Sequence, residues 1–240
     1  MTISNAACMT GVQLFEPRHG YDLIAPYYEL WRWFRLWRLN EAPIIRQWLQ
    51  SLPLGLGLDA GSGTGPYIPD IIALGHRCVA FDLSWQMLHI NREKRTEHTH
   101  TASVFYSQGH IDSLPFSNSQ FDWMLCSRVL SHVAHLTPVL SEFSRVLKPG
   151  SECLVSDVHP NHPYTHVAIP TDSGEVAIET HKHSLEDLKK AISDVRYFEV
   201  VSLDEYYLTD LLSMPSKEDF EKLYQHSNTP IFYVCRLSKC

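Results

Sequence analysis

The segment Leu58-Asp59-Ala60-Gly61-Ser62-Gly63-Thr64-Gly65 constrains this chain more than any other. The apolar positions Leu54, Leu56 and Leu58 lead into it as a buried parallel strand. Three glycines then alternate with small hydroxyl residues. Glycine has no Cβ, so the backbone can turn sharply there and bring its amides against a ligand. Downstream, Pro66 opens a helix predicted over residues 67–74, with Ile68, Ile71 and Ile72 on one side. A strand, a glycine turn and a helix form the nucleotide-binding corner of an open α/β sheet.

The glycine spacing narrows the ligand. Dinucleotide folds use G-x-G-x-x-G around a pyrophosphate, but here the third place of that pattern falls on Pro66. With Asp59 ahead of it, the loop resembles motif I of the class I S-adenosylmethionine-dependent methyltransferases. The resemblance implies a Rossmann-like, doubly wound α/β fold with a mostly parallel seven-stranded sheet and an antiparallel end strand. It also implies S-adenosylmethionine as cofactor, held around Asp59, Gly61, Ser62 and Gly63 with no phosphate to bind.

Three further segments follow in the family's order. Cys78-Val79-Ala80-Phe81-Asp82 reads as a second strand ending in a carboxylate, a group that can accept both ribose hydroxyls. A lesser reading makes Asp82 the cap of the next helix, a job Ser84 could do instead, and Asp-x-Ser-x-x-Met-Leu (Asp82 to Leu88) resembles methyltransferases rather than dehydrogenases. Leu83 and Met87 fall against the cofactor by this resemblance, although Met87 also suits the core. Gly109-His110-Ile111-Asp112-Ser113-Leu114-Pro115-Phe116 is similar to the adenine-binding segment of the ubiquinone-biosynthesis-like branch. Where that branch has an acid, this chain has His110, with Asp112 two residues on. A neutral imidazole still accepts from the adenine amino group, and the Ile111 amide completes the pairing in the family pattern. Leu140 to Gly150 resembles the helix and turn before the fifth strand, with Leu140, Phe143, Val146 and Leu147 on one face and Pro149-Gly150 as its stop. Residues 153–156 then read as that strand.

A chain of 240 residues with 44% hydrophobic content is expected to form a single domain, which the resemblance implies is a methyltransferase. A helical cap is expected over about 20–50, the cofactor-binding core over about 52–160, a hairpin lid over about 160–183, and the rest of the sheet over about 184–240. The cap opens with Tyr21-Asp22-Leu23-Ile24-Ala25-Pro26-Tyr27-Tyr28-Glu29, resembling a family segment that folds over the cofactor. That likeness puts Tyr21 and Tyr28 near the cofactor's amino-acid end, while aromatic packing against the sheet is an equal reading. Arg32, Arg35, Arg38 and Arg46 alternate with aromatics, as in an amphipathic helix that docks Trp and Leu and turns its arginines to water. The lid is read from apolar runs at 167–169 and 175–179 around a polar turn, and Ser184 with Asp187 forms a capping-box pattern.

Lys and Arg total 20 against 27 acids, a formal charge of −7, which argues against a nucleic-acid polymer as partner. No apolar run reaches the length of a membrane span, and the opening Met-Thr-Ile-Ser-Asn does not read as a secretory signal. Six cysteines without paired spacing (8, 78, 126, 153, 235 and 240) fit a reducing, cytoplasmic compartment.

Displacement of a methyl from a sulfonium needs an aligned electron pair, and a protic acceptor needs a base. His159 is the first candidate, at the end of the fifth strand, and His132 the second, after the fourth strand that Ser127 closes. Ser127 is counted with the cofactor residues. Either histidine can instead be a hydrogen-bonded structural residue. Arg128 suits an acidic substrate group or a pairing with Asp122 or Glu142. His159, His162, His166, His181 and His183 invite a metal, but two prolines and the lack of a carboxylate at ligand spacing argue for none. The expected function is methyl transfer from S-adenosylmethionine to a small molecule at oxygen, nitrogen or carbon, in specialised metabolism. The alternatives are another chemistry of the bound cofactor, such as its cyclisation or a rearrangement of a pathway intermediate, and a non-catalytic cofactor-binding module.

Overall fold

A computed structural model describes residues 14–96, 103–163, 167–218 and 220–240. Strand β1 (Leu14–Phe15) precedes helix α1 (Pro17–Ile24), a 3-10 turn over Ala25–Leu30 and the long helix α2 (Arg32–Ser51). The Glu16 carboxylate accepts from the Arg18 and His19 amides and so starts α1, with Pro17 at a first-turn position where a missing N–H costs nothing. Helix α2 buries Leu36, Trp37, Ile45, Trp48 and Leu49 against the sheet, while Arg38 and Arg46 reach outward to share the Asp70 carboxylate. This is the docking expected of an aromatic helix studded with arginines.

Strands and helices then alternate: β2 (Leu56–Ala60), α3 (Ile68–Ala73), β3 (Arg77–Asp82), α4 (Trp85–Thr96), β4 (Val104–Gln108), β5 (Phe121–Ser127), α5 (Leu136–Val146) and β6 (Leu147–Val158). The five strands lie parallel in the order β4-β3-β2-β5-β6. Helices cover both faces, so the strands are apolar on both sides. Trp123 and Leu125 of β5 face the side packed by α2 and α3, and Met124 and Cys126 face the side packed by α5. After a hairpin of β7 (Val167–Thr171) and β8 (Gly174–Ile178) come α6 (Leu185–Val195), β9 (Phe198–Tyr206), α7 (Glu221–Gln225) and β10 (Phe232–Lys239). Strand β10 runs antiparallel between β6 and β9 and forms the antiparallel end of a seven-stranded sheet. The Ser184–Asp187 capping box starts α6.

Two local features depart from the sequence reading. Strand β6 begins at Leu147, directly where α5 ends, because Leu147 pairs with Phe121 before the ladder skips to Glu152 opposite Trp123. Pro149-Gly150 is thus a bulge inside the strand rather than a separate turn, and Gly150 takes its positive φ of 77° there. The hairpin, for its part, pairs with β1 and packs on the cap: a Cβ on Gly20 would lie 2.7 Å from Ile178 Cγ1, so α1 sits flush against β8. Val167, Ile169, Val176 and Ile178 share an apolar cluster with Ile24, Ala25 and Met87.

Cys78, Cys126, Cys153 and Cys235 are buried free thiols and Cys240 is an exposed one; Cys8, like the opening residues, lies outside the described residues. No described helix is long and apolar enough to cross a membrane.

Candidate active site

The carboxyl ends of β2, β3 and β5 open into a cavity of about 280 Å³, the place where an open α/β sheet puts its ligand. Every residue expected around the cofactor lines it: Tyr21, Tyr28, Asp59, Gly61, Ser62, Gly63, Asp82, Leu83, Met87, His110, Ile111 and Ser127. Hairpin residues 167–178 do not line it; the hairpin packs on α1, whose Pro17 and Tyr21 do.

The glycine loop is built for close approach. Gly61 and Ser62 both donate their amides to the Phe81 carbonyl, at 2.7 and 2.9 Å, tying the loop to β3. Gly61 has a φ of 80°, and a Cβ there would strike Val129 Cγ2 at 2.1 Å. A Cβ on Gly63 would meet no atom within 4 Å, leaving open space at the cavity wall. Asp82 accepts from the Gly63 amide through Oδ2 and from the Ser84 amide through Oδ1, both at 2.8 Å. Helix α4 is capped by Ser84, whose Oγ accepts from the Met87 amide and donates to Asp22 Oδ1 at 2.6 Å. Asp82 is therefore free of capping duty, and it belongs to the cavity wall. Burial raises its pKa to about 6. Burial and then the nearby Asp82 charge raise Asp59 to about 7. Asp59 Oδ2 and Ser62 Oγ are buried and unpartnered among the described residues, although both side chains belong to the cavity wall. Such orphans are what a bound polar ligand would satisfy, so the site fits the cofactor the fold implies.

The opposite end holds His132. Its Nδ1 lies 3.0 Å from the Glu179 carbonyl, which only accepts, so the ring proton resides on Nδ1. The lone pair of Nε2 then accepts from the Tyr21 hydroxyl at 2.8 Å, and the two rings meet edge to face at 5.1 Å. Burial lowers the His132 pKa to about 4, so the ring is neutral at ordinary pH. Asp157, a buried carboxylate, accepts from the Ser131 amide and hydroxyl and fixes the turn that carries His132.

Arg128 is engaged otherwise than expected. Asp122 pairs with Lys148 and Glu142 with Arg145, whereas the Arg128 guanidinium lies between Glu41 (3.6 Å) and the Tyr67 hydroxyl (3.3 Å). Tyr67 in turn donates to Glu41 at 2.7 Å. Burial works against the Arg128 charge, but Tyr67 and Glu41 hold its pKa above the ordinary value. The residue adopts a left-handed φ of 56°. Glu41 and Tyr67 were not foreseen. One signal was available: Glu41 stands one helical turn from both Trp37 and Ile45, an acid inside an apolar stripe.

His159 does not reach this cavity, contrary to the sequence reading. Its amide donates to the Ile231 carbonyl, so pairing with the β10 side continues past β6 and the side chain is turned that way. Nδ1 accepts from the Asn161 amide at 3.1 Å, and Nε2 faces Glu205 Oε1 at 2.7 Å. Nδ1 is thus occupied, Nε2 lies against a carboxylate, and the ring lines a separate small pocket with Asp157, His181 and His183. Among the described residues no three His, Cys, Asp or Glu side chains are placed to hold a metal ion; His166 lies outside them.

A family described as a methyltransferase domain matches residues 58–155, which span the glycine loop, Asp82, Ile111 and most of β6. The core belongs to the class I S-adenosylmethionine-dependent methyltransferases. Over 99 residues (41% of the chain, 36% of the relative) it is 37% identical to the malonyl-[acyl-carrier protein] O-methyltransferase of Erwinia pyrifoliae. Over 102 residues (41% of the chain, 39% of the relative) it is 33% identical to the ubiquinone/menaquinone biosynthesis C-methyltransferase UbiE of Vibrio campbellii. The match thus spans less than two fifths of either curated relative. The methyltransferase fold also resembles the crystal structure of the [4+2]-cyclase SpnF, with a TM-score of 0.65 at 16% identity, covering 96% of this chain and 99% of that one.

Proposed function

We propose that the cavity binds S-adenosylmethionine and that the protein passes a methyl group to a small molecule seated beside Tyr21 and His132. One observation carries this reading: the glycine loop, the unpartnered Asp59 Oδ2 and Ser62 Oγ, and the fixed Asp82 carboxylate converge on a single cavity with a neutral histidine at its far end. Asp82 would take the ribose hydroxyls, His110 and Ile111 the adenine, and Asp59, Gly61, Ser62 and Ser127 the amino-acid end. When bound, the cofactor supplies a methyl group already activated by a positively charged sulfur. The residues around it do the rest. Asp59, Asp82 and Asp112 set a negative lining suited to a cation. Tyr21, Tyr28 and Met87 exclude water and align the acceptor. His132 keeps a lone pair on Nε2 for a proton. The acceptor is a small metabolite of specialised biosynthesis rather than a nucleic acid, in keeping with the acidic chain.

Calorimetry with S-adenosylhomocysteine tests the binding half, and appearance of that product from S-adenosylmethionine in the presence of metabolite extracts tests the transfer half. No association with either compound would end the proposal. The likeness to a cyclase supports one other reading, in which the bound cofactor serves a different reaction. Methylthioadenosine, or unchanged cofactor beside a rearranged substrate, would favour it.

A further inference from the structure

We propose that Arg128 is a carboxylate receptor: its guanidinium takes the anionic end of a ligand in the cavity, either the cofactor's α-carboxylate or a carboxylate of the acceptor. This rests on the reading of the cavity as an S-adenosylmethionine site. Unused donors are the first indication. The Arg128 side chain is only 10% exposed, yet Nε and Nη1 have no hydrogen-bond partner among the described residues. Nε carries one N–H and Nη1 carries two. Nη2 alone is used, donating to the Tyr67 hydroxyl at 3.3 Å. Buried donors without partners are costly. In the wall of a ligand cavity, an anion with two oxygens satisfies them.

Glu41 does not fill that role. Its Oε2 already accepts from the Tyr67 hydroxyl at 2.7 Å and from the Ser127 hydroxyl at 3.4 Å, and it stays 3.6 Å from Arg128 Nε, outside hydrogen-bond range. It balances the charge and leaves the donors open. The Trp37 ring, its centroid 5.9 Å from Cζ, adds a second hold on the guanidinium. The backbone makes the same point. Arg128 has a φ of 56°, a left-handed conformation that disfavours any residue with a Cβ and that glycine adopts freely. A long cationic residue kept at such a position points to a use for its head group.

Charge leaves an anion no better place. Glu16, Asp59, Asp82 and Asp112 line the cavity, and Arg128 is the sole Lys or Arg among the described residues that do. Position favours the cofactor as the source. Arg128 follows Ser127 at the end of β5, and its partner Tyr67 stands two residues beyond Gly65 of the glycine loop. The Arg128 charge also reaches Asp59: burial and Asp82 push that carboxyl up, and Arg128 pulls it back. Asp59, with Oδ2 unpartnered, and Arg128, with Nε and Nη1 unpartnered, thus suit the two ends of an α-amino acid, the ammonium on one and the carboxylate on the other. Arg128 then selects against any form of the cofactor that has lost its carboxyl group.

Calorimetry on wild-type protein compares S-adenosylhomocysteine with its decarboxylated analogue, which keeps the nucleoside, the sulfur and the amine. The analogue is expected to bind about 100-fold more weakly, the effect of losing a charge-assisted pair in a buried site. In Arg128→Gln the two ligands are expected to bind within about threefold of each other. That variant leaves Glu41 unmatched, so Arg128→Gln combined with Glu41→Gln is measured beside it. A merely structural Arg128 would weaken both ligands alike and preserve their ratio. The second arm titrates protein loaded with S-adenosylhomocysteine with benzoate and with benzyl alcohol, one ring with and without the anion. Where the cofactor holds Arg128, benzoate gains nothing. Equal binding in the first arm, with benzoate about tenfold or more tighter in the second and that preference lost in the variants, would assign the carboxylate to the acceptor. No preference for a carboxylate in either arm, or a preference that survives both variants, would overturn the proposal. Failure of S-adenosylhomocysteine to bind wild-type protein would overturn the reading of the cavity, and this inference with it. The wild-type comparisons stand even where a variant folds poorly.

Discussion

Asp82→Asn separates what the empty protein prefers from what its ligand needs. The carboxylate is held by two backbone amides at 2.8 Å, and folding raises its pKa from 3.8 to about 6, chiefly through burial. A carboxyl raised on folding contributes stability that is full below the unfolded value of 3.8 and lost as pH climbs through about 6. Ionisation at neutral pH therefore costs the unliganded protein about two pKa units, or ~3 kcal/mol. Because the side chain is partly open to the cavity, solvent screening brings this to ~1–2 kcal/mol. The Asn amide removes that cost but turns one N–H donor toward a backbone donor, a conflict of similar size, ~1–3 kcal/mol. The unliganded variant should melt within a few degrees of wild type. Binding is another matter. Two ribose hydroxyls on a carboxylate gain ~1.5–3 kcal/mol each, and losing the charge and one acceptor should weaken S-adenosylhomocysteine binding by about 100-fold. The pH profile gives the second readout. A ligand that needs the carboxylate ionised must displace a proton below about pH 6, so wild-type affinity should fall up to tenfold per unit there. Asp59, raised to about 7, adds a step just above it, and the variant should lose only the lower step. Calorimetry from about pH 8 down to about pH 5 reads both effects. A variant within about threefold of wild type at the alkaline end, or a wild-type profile flat across the range, would refute the role of Asp82.

Gly57→Ala should fail for steric reasons alone: its Cβ would sit 2.1 Å from Trp123 Cε2, in a fully buried ring that is bonded to His76 and packed edge-on to Trp48. Overpacking of ~3 kcal/mol or more predicts a melting point lower by about 6–12 °C, and an unchanged thermal transition would contradict the packing. Glu41→Ala leaves the Arg128 guanidinium buried and unmatched, at a cost of ~3–5 kcal/mol; urea denaturation should show it, with Glu41→Gln much milder. His159→Gln should leave turnover within about twofold, since the ring lies outside the cavity and its Glu205 partner is 40% exposed. A hundredfold loss of kcat would restore His159 as a base.

Local backbone chemistry made much of this protein legible in one dimension. Glycines at 61, 63 and 65 mark a turn because left-handed φ and close approach are properties of single residues, and Asp82 is legible because it ends an apolar run. The Ser184–Asp187 cap is likewise complete within four residues. His159 misled for a related reason: the topological rule places a strand end, but pairing with β10 decided which way its ring turned. Glu41, Tyr67 and Arg128 come from three separate elements, and their common purpose lies in a buried charge being matched rather than in any motif. His132 shows the division most plainly. Its place after β5 could be read from the chain, yet its neutrality and the position of its proton depend on the Glu179 carbonyl, the Tyr21 hydroxyl and burial. Backbone conformation and strand endings are written in neighbouring residues; the protonation state and direction of a side chain are set by whatever the fold brings against it from far along the chain.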